Sequence, residues 1–263
     1  MHKPKFSQHY LIDKTVAENV VKGGSFTPED TVIEIGPGKG VLTALIAPQV
    51  NKLVCLEIDT YLTRRLQEKF KDQTNIEIIE TDFLDWPIRN FKSQISNLKF
   101  ISNLPYSVTS PIIRKALSNK SWTTAVFMMQ KEVGERILSG PGSRDYGFLS
   151  ICTQFYSVPE KLFNVSSSCF DPVPDVESIV LKFTRKKISV KDRAIAGKMF
   201  ELVKAAFSQR RKTIINPLSD ALNFPKTELT QILHKAGIDP SLRPEAVSLV
   251  QFLELTRLLA NKS

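Results

Sequence analysis

The sequence Thr31-Val-Ile-Glu-Ile-Gly36-Pro-Gly38-Lys-Gly40 joins a short β-branched strand to three closely spaced glycines. The segment after it carries apolar residues at helical spacing, namely Val41, Leu42, Leu45 and Ile46. A strand, a glycine turn and a helix in this order predict the first unit of an open α/β sheet. Glycine lets the backbone bend sharply and lets a ligand approach closely. The G-x-G-x-G spacing departs from the G-x-G-x-x-G of dinucleotide-binding loops, which weakens a pyrophosphate interpretation, and a plain turn stays possible.

Polar side chains come at the ends of the predicted strands that follow. Glu57 ends the second strand, 21 residues after Gly36, which is about where this fold places an acid that binds ribose hydroxyls. Asp82 follows the predicted strand 76–79, and Asn103 ends the apolar run that begins at Leu98. We therefore expect these residues to meet at one edge of one sheet. The pattern predicts a nucleoside pocket that lacks a phosphate cradle.

The break Asn103-Leu104-Pro105-Tyr106 is the second informative stretch. Pro105 fixes its own φ and biases Leu104 away from the α region, so the turn is stiff. Such a turn can present the Asn103 amide oxygen and a backbone carbonyl as two acceptors, with the Tyr106 ring beside them. Two acceptors and a ring suit an amino group on a planar heterocycle, such as N6 of adenine. The alternative is a strand end with a turn proline and a half-buried tyrosine.

Charge is unevenly distributed along the 263 residues, whose formal net charge is +9. Residues 185–263 contain 15 Lys and Arg against 7 Asp and Glu, whereas residues 1–184 contain 21 against 20. This predicts an α/β domain over residues 1–184, with a basic amino-terminal arm, and a small all-α, basic domain over residues 185–263. A basic module indicates a polyanion, nucleic acid above all, although a solvated basic surface stays possible. The cluster Arg210, Arg211 and Lys212 is the candidate phosphate contact.

Other classes of protein are disfavoured. The amino terminus has no apolar segment of the signal-peptide kind, and no run approaches the roughly 20 apolar residues that span a bilayer. The three cysteines are far apart and have no histidine nearby, so we expect reduced cysteines, no metal site and a cytoplasmic protein.

Several motifs together resemble the S-adenosylmethionine-dependent rRNA adenine N6-dimethyltransferases, over essentially the whole chain. They are Ser-Gln-His-Tyr-Leu (7–11), Glu-Ile-Gly-Pro-Gly-Lys-Gly (34–40), Glu-Ile-Asp (57–59), Asp82, Asn-Leu-Pro-Tyr (103–106), Gln-Lys-Glu-Val (130–133) and Phe-Asp-Pro-Val-Pro-Asp-Val-Glu-Ser (170–178). The resemblance implies a Rossmann-like methyltransferase sheet with helices on both faces. It also implies a monomer that acts on small-subunit rRNA within a pre-assembled ribosomal particle and supports small-subunit biogenesis.

The resemblance also implies residue roles. Asn103, Leu104, Pro105 and Tyr106 would hold the target adenine, with Phe170 on its second face. Gly36, Gly38, Glu57, Asp82 and Asn103 would bind S-adenosylmethionine, and His9 and Leu11 would close that pocket. Leu104 is typical of the housekeeping branch, which dimethylates two adjacent adenosines near the 3′ end of small-subunit rRNA. Ser7 also occurs in the macrolide-resistance branch, which modifies large-subunit rRNA, so that branch is the alternative.

Two alternatives come from other classes of protein. A NAD-linked oxidoreductase needs a phosphate-cradling loop, and hydride transfer offers no role for residues 103–106. An RNA-binding assembly factor without essential catalysis would keep the fold and the basic tail. Loss of methylation in an Asn103→Ala variant that still binds RNA would distinguish an enzyme from such an assembly factor.

Overall fold

The computed structural model describes residues 9–88, 97–209 and 211–260. The chain divides into two compact units. The first contains the described residues of Met1–Gly134 and of Ser157–Arg185, and the second those of Glu135–Tyr156 and of Lys186–Ser263. The sequence predicted one break after residue 184. The structural division differs for residues 135–156, which group with the carboxyl-terminal helices.

The first unit is built on one sheet, in which seven strands pair among the residues that are described. Their order is β4 (Ile76–Glu80), β3 (Lys52–Glu57), β2 (Thr31–Ile35), β5 (Leu98–Asn103), β6 (Trp122–Gln130), β9 (Ser178–Arg185) and β7 (Ser157–Val165). The first five run parallel, and β9 pairs antiparallel with both β6 and β7. A separate short ladder joins β1 (Tyr10–Leu11) to β8 (Phe170–Asp171). The predicted Rossmann-like α/β sheet is confirmed.

Helices α2 (Val41–Ile46), α3 (Thr60–Lys69) and α4 (Thr109–Ser118) connect parallel strands, and α1 (Lys14–Gly23) precedes the first of them, β2. The Asp13 and Asp59 carboxylates cap α1 and α3 by accepting hydrogen bonds from backbone N–H groups of the first turn. The central strand β2 is buried along its whole length because it has a neighbour on each side and helices nearby. Pro159 lies within the edge strand β7, where a missing N–H is tolerated.

The second unit is helical, as predicted for the carboxyl-terminal region. Its helices are α6 (Phe148–Tyr156), α7 (Val190–Phe207), α8 (Ile215–Leu222), α9 (Lys226–Lys235) and α10 (Leu249–Ala260), while α5 (Lys131–Leu138) straddles the division. Phe155 and Tyr156 of α6 pack their rings 5.5 and 5.7 Å from that of Phe200 on α7. This aromatic contact packs α6 against α7 within the unit. Ser248 and Gln251 form a capping box before α10. No helix among the described residues is both long and apolar enough to cross a membrane.

Candidate active site

The glycine turn after β2 forms the floor of a cleft. Gly36 has a φ of +65°, a left-handed conformation that favours glycine. A Cβ atom built on Gly36 would meet nothing within 4 Å, so this backbone faces the open cleft. The Gly36 N–H donates to the Leu56 carbonyl at 2.9 Å, which fixes the turn against β3. The turn can therefore let a ligand lie directly on the backbone.

Glu57 lies beside that turn at the end of β3. Its carboxylate accepts hydrogen bonds from the Gly38 N–H and the Asp59 N–H, each at 3.0 Å. Only 1% of the residue is exposed, and burial raises the pKa of the carboxyl above its ordinary value. Because each oxygen has further lone pairs, the carboxylate can still accept hydrogen bonds from a vicinal diol.

Asp82 forms the far end of the same region. Its Oδ1 accepts from the Leu84 N–H at 2.7 Å, and it lines a hollow together with Glu57, Ile58 and Phe83. The Lys115 ammonium, on α4, donates to the Leu84 and Trp86 carbonyls at 2.5 and 2.7 Å and so fixes the turn that carries Asp82. Burial lowers the pKa of Lys115.

Asn103 and Tyr106 border the adjoining hollow, which shares Gly36 and Pro105 with the first. Asn103 Nδ2 donates to the His9 carbonyl at 3.0 Å, an arrangement that leaves its Oδ1 as the acceptor. Pro105 is extended, with φ −60° and ψ 130°, as the stiff turn requires. The Tyr106 hydroxyl and the Ser178 hydroxyl are 2.9 Å apart. Burial raises the pKa of Tyr106.

The predicted strand-end residues therefore meet at one edge of the sheet. Gly36 directly follows β2, Glu57 and Asn103 end β3 and β5, and Asp82 lies two residues past β4. His9, Leu11, Gly38 and Leu104 also line the cleft.

Phe170 is not brought to the cleft. It pairs with Leu11 in the β1–β8 ladder and is 1% exposed, within a core cluster that includes Val165 and Val180. The Tyr106 ring is stacked instead against the His9 imidazole, with centroids 5.4 Å apart and planes inclined by 29°. The predicted second face for a bound base is thus not supplied by Phe170 in this structure.

Glu34 is a cleft residue that the sequence analysis did not single out. It is 1% exposed, in the middle of β2, and its carboxylate accepts from the Thr43 hydroxyl at 2.7 Å. Burial raises its pKa to about 7, while the hydrogen bonds from Thr43 and from the Cys55 thiol act in the opposite direction. The available signal was one acid among the apolar residues Val32, Ile33 and Ile35 of β2.

The basic cluster predicted to grip phosphates lies after α7, in the second unit. Arg211 and Lys212 are exposed, and the Lys212 N–H donates to the Gln209 carbonyl. Arg210 lies outside the described residues. Exposed cations on a short turn are compatible with phosphate contacts.

Comparison with known proteins gives consistent matches. The family model described as ribosomal RNA adenine dimethylase matches residues 1–261. Proteins named ribosomal RNA small subunit methyltransferase A are similar to this chain. The one from Alkaliphilus metalliredigens is 41% identical over 96% of this chain and 90% of its own, and the one from Caldanaerobacter subterraneus is 39% identical over 98% and 97%.

Solved structures show the same fold. A dimethyladenosine transferase from Plasmodium falciparum superposes with a TM-score of 0.81 and 25% identity, over 97% of this chain and 98% of its own. The 23S rRNA methyltransferase ErmE superposes with a TM-score of 0.71 and 24% identity, over 95% and 99%. At that identity the second likeness concerns the fold alone.

Proposed function

The chain belongs to the ribosomal RNA adenine dimethylase family, and from that premise we propose that it dimethylates N6 of two adjacent adenosines near the 3′ end of small-subunit rRNA. Its methyl donor is S-adenosylmethionine. The observation that carries the proposal is the Asn103 amide, whose Nδ2 is engaged by the His9 carbonyl, so that its Oδ1 can accept a hydrogen bond beside the Tyr106 ring.

The residues present fit the donor molecule. Glu57 suits the two ribose hydroxyls, because its buried carboxylate is held by two backbone N–H groups. Asp82 suits the exocyclic amino group of the donor's adenine, and the open backbone at Gly36 suits its methionine part. Gly38, His9 and Leu11 complete the lining. When bound, S-adenosylmethionine supplies an electrophilic methyl group on a sulfonium.

On the acceptor side, catalysis depends on how the protein positions the target adenine. The lone pair of adenine N6 is delocalised into the ring, so this nitrogen is a weak nucleophile. Asn103 Oδ1 and the Leu104 carbonyl accept hydrogen bonds from its two protons, favour a pyramidal nitrogen and stabilise the positive charge that develops there. Pro105 holds these acceptors in place, and Tyr106 stacks on the extruded base. No general base is needed first, since the methylated cation loses its proton readily.

Small-subunit rRNA is the favoured substrate because full-length relatives at 35–41% identity carry that name. The macrolide-resistance alternative is supported by likeness of fold alone. The substrate is rRNA within a pre-assembled particle, the protein acts as a cytoplasmic monomer, and the exposed Arg211 and Lys212 contact phosphates together with Arg210.

The test is methyl transfer from labelled S-adenosylmethionine to separated ribosomal subunits. We expect label in small-subunit RNA, and label only in large-subunit RNA would contradict the proposal.

Asn103→Ala should lower kcat by about 10²- to 10³-fold and leave RNA binding nearly intact. Asn164→Ala, an exposed position on β7, is the matched control. Continued dimethylation by Asn103→Ala would refute the assignment of Asn103. Thermal stabilisation by S-adenosylhomocysteine but not by NAD would exclude the oxidoreductase.

A further inference from the structure

The His9 side chain lies on the ring face of Tyr106. The two ring centroids are 5.4 Å apart and the planes are inclined by 29°. A base inserted between two rings separates them by roughly twice the 3.5 Å contact distance, or about 7 Å. His9 and Tyr106 therefore cannot hold a base between them at their present spacing.

Within the part of the chain that the structure describes, the imidazole makes one hydrogen bond besides this stack, an exposed one in which its Nδ1 is 2.7 Å from the Pro172 carbonyl. Exposed hydrogen bonds of this kind contribute modestly because water replaces them readily. The His9 backbone, in contrast, is tied to the site through the hydrogen bond from Asn103 Nδ2 to its carbonyl. The ring can therefore swing away while the backbone contact that orients Asn103 persists.

We propose that the His9 imidazole is the resident occupant of the acceptor-base site, and that the target adenine enters by displacing it from Tyr106. This inference rests on the proposed function, since it takes Tyr106 as the stacking face for the base. A flat ring in this place keeps the tyrosine face covered until a substrate arrives. It also sets a threshold, because an entering base must stack on Tyr106 better than the imidazole does.

The stack itself can be tested by NMR on the free protein. The chain has three histidines, and the His9 ring signals are assigned by their loss in His9→Ala. A ring stacked on tyrosine is shielded, so the His9 ring protons should lie upfield and move downfield in Tyr106→Leu. His9 signals that do not respond to Tyr106→Leu would overturn the inference, whatever the substrate of the enzyme is.

The displacement step predicts an unusual kinetic result. An aromatic pair is worth a factor of about 2 to 10 in an equilibrium constant, so His9→Ala, assayed at saturating S-adenosylmethionine, should lower KM for the rRNA substrate by about that factor. His9→Phe keeps a ring on Tyr106 and should not lower KM. His234→Ala, at an exposed position in the second unit, is the control and should leave KM unchanged.

The outcomes separate the two proposals. A KM in His9→Ala that is unchanged or raised shows that the imidazole does not block the base, and overturns this inference while wild-type methylation still supports the proposed function. Wild-type protein that transfers no methyl group to small-subunit RNA overturns the proposed function, and the NMR experiment still decides whether His9 covers Tyr106.

Discussion

Glu34→Gln is expected to stabilise the protein at alkaline pH. Glu34 is a fully buried acid whose carboxylate accepts hydrogen bonds from the Thr43 hydroxyl and the Cys55 thiol. Burial raises its pKa to about 7 from an ordinary 4.5, and the nearby Glu57 acts in the same direction. Glutamine has the same shape and is neutral, so it imitates the protonated acid at every pH.

The sign follows from proton linkage. Because the folded protein holds this proton more tightly than the unfolded chain, the stabilisation that the proton provides is fully present below pH 4.5 and is lost as the pH rises through 7. At about 1.4 kcal/mol per pKa unit, the loss above pH 7 amounts to about 3 kcal/mol. The group is buried, so screening by solvent does not reduce this figure. Glu34→Gln should recover about 1–3 kcal/mol at pH 8.5 and close to nothing at pH 4.5.

Urea unfolding of wild type and Glu34→Gln at pH 4.5 and at pH 8.5 measures this difference. Glu29→Gln, at an exposed acid, should change stability by less than about 0.5 kcal/mol at either pH. A Glu34→Gln variant whose free energy of unfolding differs from wild type by the same amount at both pH values would refute the reasoning. The measurement does not depend on any substrate.

Two smaller predictions concern residues that position others. Ser178→Ala removes the hydroxyl 2.9 Å from that of Tyr106, so kcat/KM for rRNA should fall about 5-fold, consistent with about 1 kcal/mol for one hydrogen bond, as measured by initial rates of methylation. Lys115→Met removes the donor to two carbonyls of the turn that carries Asp82, so S-adenosylhomocysteine should bind about 3- to 10-fold more weakly by calorimetry, with KM for rRNA unchanged. If the variant bound S-adenosylhomocysteine and rRNA more weakly by the same factor, a local role for Lys115 would be contradicted.

The edge of the sheet could be predicted because it depends on local signals. Strand, glycine turn and strand-end acid follow one another within the chain, and parallel strands bring their carboxyl ends together by topology alone. Gly36, Glu57, Asp82 and Asn103 therefore lie where the sequence indicated. The spacing of these residues along the chain was therefore enough to predict that they lie together.

The surroundings of Tyr106 depend instead on pairing between distant residues. His9 is 97 residues from Tyr106 in the sequence, and the β1–β8 ladder pairs Leu11 with Phe170, which lies near the other end of the first unit's sequence. No local pattern in the sequence predicts that such short strands pair, or which of their side chains are buried in the core. The grouping of residues 135–156 with the helical unit is of the same kind, because it involves packing against residues that are distant in sequence, Phe200 among them.

Phe170→Leu separates the two roles that sequence and structure give to Phe170. Motif resemblance predicts that its ring stacks on the target base, whereas the structure buries it in a core cluster with Leu11 and Val165. A core residue should lose about 1–2 kcal/mol of stability on this change, like the buried Phe183→Leu on β9, and KM for rRNA should stay within about 2-fold of wild type. Loss of a stacking face would instead raise KM by roughly 5- to 100-fold, since base stacking is worth about 1–3 kcal/mol, and would leave stability unchanged. We expect the first result, because a ring that is 1% exposed has no free face to offer while β1 and β8 remain paired.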